Sequence, residues 1–416
     1  MAAKAEQLAV WMYGQQVAVL TKHQGRLALS YTEAAQASYE VNTPLLSVAL
    51  PVLPGSFKDS VVRPFFDGLL PEGEARRMLA YDFRLSEDDT FGLLKALGRD
   101  CAGALIVLPE GETPLTPNAT EASILTLDEV ARRIRQLDTE PLGVDKQVRV
   151  SLAGVQHKLV LTRLPSGQWA LPINNLPSTH ILKRASRRFD KMVANEAYCL
   201  ALGRRLGLSV AETDIIRWPE EVLVVTRYDR VYTENGDISR IHQEDLAQAF
   251  SLTGSAKYEE HGGPSLRQVA RRLREVTGRS TSLEALLDIT FLNMVVGNAD
   301  AHAKNLSFLY IAPGVIQLAP AYDIVSTTFY PQVDVRPGMY VNRKTSMHDI
   351  TATDLIEEAI AWGLPRNRVR ARVLDLLERL PSALDAAARE VPTAPDDLLA
   401  HVQARASQFS APLPTP

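Results

Sequence analysis

Cysteine is almost absent: Cys101 and Cys199 are the only two in 416 residues. They stand far apart without a CxxC pair, which excludes a zinc ribbon or a disulfide framework and fits a reducing compartment, so the expected location is cytoplasmic. No apolar run approaches the ~18 residues of a membrane span. The opening "MAAKAEQLAVWMYGQQ" breaks its apolar character with charge and amides too early for a secretory signal. Positive charge is not in surplus either, since 45 Lys and Arg stand against 49 Asp and Glu for a net charge of −4. That excludes binding to nucleic acid by bulk electrostatics; a DNA role needs a partner or a local patch. Internal repeats and low-complexity tracts are also missing. What remains, 46% hydrophobic and 23% charged residues, describes a globular chain of two or three domains.

Residues 7–53 read as short strands and turns, with a turn at Gly14 and "LLSVALPVL" closing on Pro54 and Gly55. The spacing of "VVRPFFDGLLPEGEARRMLA" is helical and places Pro64 in a first turn. This α+β unit, residues 1–108, ends near Leu108. "PEGETPLTPNATEAS", from Pro109 to Ser123, has little to bury and reads as a linker, followed within 109–146 by the helix "TLDEVARRIRQLD". Residues 147–229 turn to strands around the helix "KMVANEAYCLALGRRLGL", with Gly207 suited to its C-terminal cap. From 230 to 405 the pattern is mostly helical, and 406–416 read as a disordered tail. The expected fold class is therefore α+β, with a small strand-rich lobe, a larger helical lobe and an added N-terminal domain.

The helix "TSLEALLDITFLNMVV" is expected to start with a Thr281–Glu284 capping box and to carry Leu283, Leu287, Phe291 and Met294 on a buried face. It delivers "GNADAHAKNLSF", in which Asp300 precedes Asn305 by the D-x-x-x-x-N interval of protein-kinase catalytic loops. There the Asp orients the attacking hydroxyl and the Asn holds magnesium. "LAPAYDIVS" then supplies a second carboxylate, Asp323, of the hard-oxygen kind Mg2+ takes. Upstream, "SLAGVQHK" is a small Gly-containing turn whose backbone N–H groups can approach phosphate oxygens. Lys183 in "THILKRA" sits where a strand lysine grips nucleotide phosphates, with Glu196 on the next helix placed to pair with it. Taken singly, each also reads as a turn or a solvated charge. Taken together, phosphate loop, strand Lys, helix Glu, apolar connector, D-x-x-x-x-N and metal Asp run in the kinase order of parts.

Over nearly its whole length the chain resembles the HipA family of bacterial type II toxin–antitoxin serine/threonine-protein kinase toxins. The stretches that carry the resemblance are "WMYGQQVAVL", "FFDGLLPEGEARR", "FGLLKALGRDCAGAL", "RVSLAGVQHK", "HILK", "NEAYCLALGRRLGL", "RYDR", "HQEDLAQAF", "KYEEHGGP", "GNADAHAKNLSF" and "PAYDIVS". The "HQED", "KYE..GGP" and D-x-H-x-K-N strings are the specific ones. The resemblance implies a two-lobed, protein-kinase-like fold with Asp300 as catalytic aspartate and with His302, Lys304 and Asn305 around nucleotide and metal. Asp323 and Asn305 become the metal ligands, and Lys183 the nucleotide-binding lysine. Ala153, Gly154, Val155, Gln156, His157 and Lys158 form the phosphate-side loop, Val225, Thr226, Arg227 and Tyr228 the adenine-side connector, and Tyr322 a further nucleotide neighbour. Glu196 supplies the supporting ion pair, and Ser151 aligns with the serine that family members autophosphorylate.

By the same resemblance the cofactors are ATP and Mg2+. The partners are a protein substrate, such as an aminoacyl-tRNA synthetase or another translation component, and a HipB-like helix-turn-helix antitoxin that engages the N-terminal domain. DNA is reached only through that antitoxin, and no membrane is involved. His157 departs from relatives with an acidic residue there. The G-x-G-x-x-G, HRD and DFG strings of eukaryotic protein kinases are missing, so that analogy is one of role and order. Two other readings stay open: a small-molecule kinase, and a catalytically idle co-repressor acting through the antitoxin. Lys183, Asp300, Asn305 and Asp323 standing together speak against idleness. Gln243, Glu244 and Asp245 read equally as a helix-start capping cluster or as substrate contacts.

Overall fold

The computed structural model describes residues 5–115, 122–144, 148–154, 158–185, 189–218 and 220–410. The chain opens with β1 (Glu6–Met12), β2 (Gln15–His23) and β3 (Arg26–Tyr31). Both hairpin turns hold two residues at positive φ, Tyr13 and Gly14 in the first and Gln24 and Gly25 in the second, the backbone that suits the right-handed twist of the flanking strands. Helices α1 (Glu33–Ser38), α2 (Asp59–Asp67), α3 (Gly73–Asp82) and α4 (Thr90–Leu97) follow. Strand β4 (Ile106–Pro109) then returns to β1, giving the sheet order β3-β2-β1-β4. Pro64 lies inside α2 rather than in a first turn. The helix begins five residues earlier, where Asp59 accepts from Arg63 one turn on.

Next come β5 (Ile124–Leu125), α5 (Leu127–Arg135), β6 (Lys158–Arg163), β7 (Trp169–Ala170) and β8 (His180–Arg184). Thr126 and Glu129 form a reciprocal capping box that starts α5. Of the predicted linker, residues 116–121 lie outside the described residues. Helix α6 (Met192–Arg205), β9 (Thr213–Arg217), β10 (Glu221–Thr226), β11 (Arg230–Tyr232), β12 (Ile238–Arg240), β13 (His242–Asp245) and α7 (Leu246–Ala249) continue the chain. Gly207, at φ 74°, ends α6 as expected: its N–H donates to the Arg204 carbonyl, and that of Leu208 donates to Gly203. The remainder holds α8 (Leu266–Thr277), α9 (Ser280–Val296), β14 (Ser307–Ala312), β15 (Val315–Leu318), α10 (Ala352–Ala361), α11 (Arg366–Glu390) and α12 (Asp396–Phe409). The region after Arg230 thus carries five strands within the stretch read as mostly helical; each is too short for its period to stand out.

The chain divides into two compact units. The first comprises Met1–Arg184, Arg217–Thr253 and Leu309–Val315. In it the strand neighbours run β5-β7-β6-β8-β10, and the central strands are apolar and β-branched on their buried residues, as in "EVLVVT". The second comprises Ala185–Ile216, Gly254–Phe308 and Ile316–Pro416. Its central helix, α9, is buried over most of its circumference and packs against α8, α10 and α12. The expected capping box at Thr281 does not form. Arg279 is the N-cap without a side-chain bond, because the chain turns directly out of α8 through Gly278 at φ 62° and Thr281 already lies inside the helix. Helix α12 continues past the predicted tail boundary to Phe409, which is buried edge-on against Phe291 at 5.6 Å. Residues 411–416 lie outside the described residues. Among the described residues no helix is long and apolar enough to cross a membrane. Both cysteines are free and buried.

Candidate active site

The candidate residues fall into two groups, one in each unit. In the first unit, the Ser151–Gly154 stretch precedes β6. Ser151 is fully buried; its N–H donates to the Asp100 carbonyl at 2.9 Å and its Oγ to the Leu69 carbonyl at 2.7 Å. Gly154 has φ 112°, a backbone that favours glycine, and a Cβ there would stand 2.5 Å from Lys158 Nζ. Lys158 Nζ donates to the Ala153 carbonyl at 2.7 Å and ties the loop to the first residue of β6. Val155, Gln156 and His157 lie outside the described residues.

Lys158 stands directly across from Lys183 in the antiparallel register of β6 and β8, and both are buried. The two lysines therefore lie side by side on neighbouring strands, next to the Ala153–Gly154 turn that Lys158 holds.

The connector residues Val225 to Tyr228 join β10 to β11. Val225 and Thr226 end β10, but the Arg227 guanidinium turns into the protein. It donates to both carboxylate oxygens of Asp229 at 2.9 and 2.7 Å, to Ser178 Oγ at 2.8 Å and to the Cys101 carbonyl at 3.1 Å. Arg230 donates to the Gly103 carbonyl at 2.9 Å and to Asp100 at 3.2 Å, and Asp229 accepts from the Gly103 N–H at 2.7 Å. Burial would raise the Asp229 pKa, but Arg227 and Arg230 hold it well below the usual carboxylate range. Burial and the neighbouring Arg227 push Arg230 down to about 10. Tyr228 donates its hydroxyl to Gln243 Oε1.

The three residues of "HQED" without an assigned role now have partners. Gln243 joins Tyr228 to Asp229. Asp245 is the N-cap of α7, in a capping box with Gln248. Glu244 is buried and accepts from Ser47 Oγ at 2.5 Å, from the Val48 N–H at 2.9 Å and from the Tyr310 hydroxyl. Burial pushes its pKa up to about 7 against the lowering effect of those three donors. Asp100, Asp229 and Glu244 escaped the sequence reading as partners, although "GRDCAGAL", "RYDR" and "HQED" each set a charge among apolar or small residues, the only signal available.

In the second unit, α9 stops at Gly297, φ 73°, where a Cβ would meet Thr328 Oγ1 at 2.1 Å. The loop that follows is held from several sides. Ala299 N–H donates to Thr327 Oγ1 at 2.7 Å, Asp300 N–H to Asn298 Oδ1 at 3.1 Å and His302 N–H to the Asp300 carbonyl at 2.9 Å. Tyr322 donates to the Lys304 carbonyl at 2.7 Å and also bonds Ser307 Oγ. Asn305 Nδ2 approaches the Asp323 carbonyl at 3.5 Å. Asp323 itself sits at φ 57°, a left-handed backbone that is sparsely populated for residues with a side chain and concentrates at functional sites. Thus Asp300, His302, Lys304, Asn305, Tyr322 and Asp323 share one neighbourhood. Glu196 is buried on α6 of this unit.

The strand-borne lysines of one unit and the helix-delivered D-x-x-x-x-N loop of the other define a protein of the two-lobed, kinase-like α+β class with an added N-terminal domain. Comparison with known proteins gives the family. Residues 150–384 match the HipA-like C-terminal domain and residues 8–108 the HipA N-terminal domain. Y4mE of Sinorhizobium fredii, which carries a kinase designation, is 37% identical over 388 residues, covering 91% of this chain and 90% of its own. The serine/threonine-protein kinase toxin HipA of Shewanella oneidensis is 31% identical over 359 residues, covering 82% and 80%. The solved complex of Shewanella oneidensis HipA with HipB and operator DNA superposes with a TM-score of 0.80 at 28% identity, covering 97% of this chain and 96% of that one. The chain belongs to the HipA family of bacterial kinase toxins.

Proposed function

We propose that this chain transfers the γ-phosphoryl group of ATP to a serine or threonine hydroxyl of a protein, as the toxin of a toxin–antitoxin pair. The observation that carries the reading is the packing of Asp300, Asn305 and Asp323 into one neighbourhood of the second unit, with Asn305 Nδ2 turned to the Asp323 carbonyl. The Asn305 amide oxygen and the Asp323 carboxylate are hard donors of the kind Mg2+ takes. When bound, the ion would offset the negative charge of the phosphates. Lys158 and Lys183 hold the phosphate chain, and Asp300 orients the acceptor hydroxyl and takes its proton. Catalysis on this reading is positioning and charge stabilisation.

Ser151 is proposed as a self-modification site that switches the enzyme off. Its Oγ is buried against the Leu69 carbonyl, a place with no room for a group of roughly −1.5 to −2 charges, so a phosphorylated loop must leave it. The partners are a HipB-like helix-turn-helix antitoxin and a protein target such as a component of translation, in the cytoplasm.

The test uses purified protein with labelled Mg-ATP. Asp300→Ala and Asp323→Ala are each expected to lower phosphoryl transfer by on the order of 10²–10³ or more, with little change in thermal midpoint because neither side chain packs a core. Mass spectrometry should place self-phosphorylation on Ser151, and the modified protein should bind ATP more weakly. Near-normal turnover by either aspartate variant would sink the assignment.

A further inference from the structure

A catalytic carboxylate has to present one oxygen in one direction, yet Asp300 is exposed. The "KYEEHGGP" stretch supplies what burial does not. The Tyr258 hydroxyl donates to Asp300 Oδ1 at 2.7 Å, well within hydrogen-bond range. The Tyr258 ring is itself held. It stands edge-on to His302, two residues beyond Asp300, with centroids 4.8 Å apart and planes at 85°, and it meets His261 at 6.0 Å. The Lys257 ammonium lies over the ring at 5.6 Å.

The main chain makes the same connection a second time. The Gly338 N–H donates to the Ala299 carbonyl at 2.7 Å, while its carbonyl accepts from the Glu259 N–H at 2.9 Å. One residue thus bridges the segment carrying Tyr258 and the loop carrying Asp300. A Cβ on Gly338 would stand 2.8 Å from the backbone of Ala301, so the bridge exists only because that position is glycine. Glu259 closes it from the other side, accepting the Tyr340 N–H at 2.7 Å. A hydrogen bond between a half-buried hydroxyl and an exposed carboxylate adds little to stability. Holding it through three segments at fixed geometry is the arrangement that orients a reacting group.

We infer that Tyr258 is a positioning residue for phosphoryl transfer: its hydroxyl fixes Oδ1 of Asp300, so that Oδ2 is the oxygen presented to the acceptor. As the acceptor oxygen bonds to the γ-phosphorus and the bridging P–O bond breaks to release ADP, the acceptor proton passes to Oδ2. Tyr258 neither gains nor loses a proton. This rests on the reading of Asp300 as the catalytic carboxylate.

The test compares the wild type, Tyr258→Phe and Asp300→Ala as full-length chains, measuring transfer from Mg-ATP to the protein itself and to dephosphorylated casein. The phenylalanine variant keeps the ring and its contact with His302 and loses only the hydroxyl. Its transfer rate at saturating ATP should fall roughly 10- to 100-fold, with KM for ATP within about twofold and an unchanged thermal midpoint. A merely structural role would move the midpoint or KM instead. An unchanged rate overturns the inference, and a faster one overturns it by placing Tyr258 in the acceptor's own position as a plug. A wild type that transfers no phosphate to either acceptor, like Asp300→Ala, defeats the kinase reading itself and the inference with it. That outcome is recognised before the phenylalanine variant is considered.

Discussion

Glu244 illustrates how much one buried carboxyl can decide. Its three donors come from Ser47, Val48 and Tyr310, and burial still pushes it from the ordinary 4.5 up to about 7. Between those values the unfolded chain has released its proton while the folded chain keeps it. The group's contribution to stability is therefore full below 4.5 and is lost as pH rises through 7. The adjacent His242, whose Nε2 bonds the Leu46 carbonyl, works in the opposite sense. Burial lowers it from 6.5 to about 4, so its contribution is present above 6.5 and lost as pH falls through 4. Glu244→Gln, isosteric with the protonated acid, removes only the first effect. Urea midpoints of variant and wild type measured at pH 5 and pH 8 should differ more in the variant's favour at pH 8. A gap independent of pH would show that Glu244 has no raised pKa.

At the scale of elements, the joint between β10 and β11 is a buried ion cluster that reaches back to the residues before β4. Arg227 and Arg230 lie between Asp229 and Asp100, all of them shielded from water. Removing one partner leaves a charge with neither water nor a counter-ion, which typically costs about 3–5 kcal/mol. Asp229→Ala should therefore lose about that much in a urea titration, and a loss under ~1 kcal/mol would mean that the cluster contributes little. The strands before Arg230, the linker-following helix and the Gly207 cap were legible because each is specified by residues next to one another. The Asp229 contact with Gly103 spans 126 positions, and no local pattern encodes it. The same holds for Tyr258 and Asp300, 42 positions apart: the loop motif named the carboxylate, but the tyrosine stood out only as part of "KYEEHGGP". The false capping box at Thr281 has the converse cause, a correct local signal overridden by a turn that started the helix earlier.

For the molecule as a whole, the net charge of −4 leaves no surplus of cations to neutralise many phosphates. In an anisotropy titration at physiological salt the isolated chain should show no sequence preference for operator DNA, and adding a helix-turn-helix antitoxin encoded beside it should create one. Specific binding by the chain alone would overturn that expectation and favour the co-repressor reading. The division into units has a further effect, on biosynthesis. The first unit needs Leu309–Val315, including the Tyr310 hydroxyl that Glu244 accepts, yet its preceding segment ends at Thr253. A ribosome adding roughly 5–20 residues per second takes about 3–11 s to cover that interval. Throughout it the nascent chain carries Glu244 with two donors in place of three. The second unit, begun at Ala185, draws on segments as late as α12. Each unit assembled in this way stays incomplete on the ribosome until segments far beyond its first residues have been made.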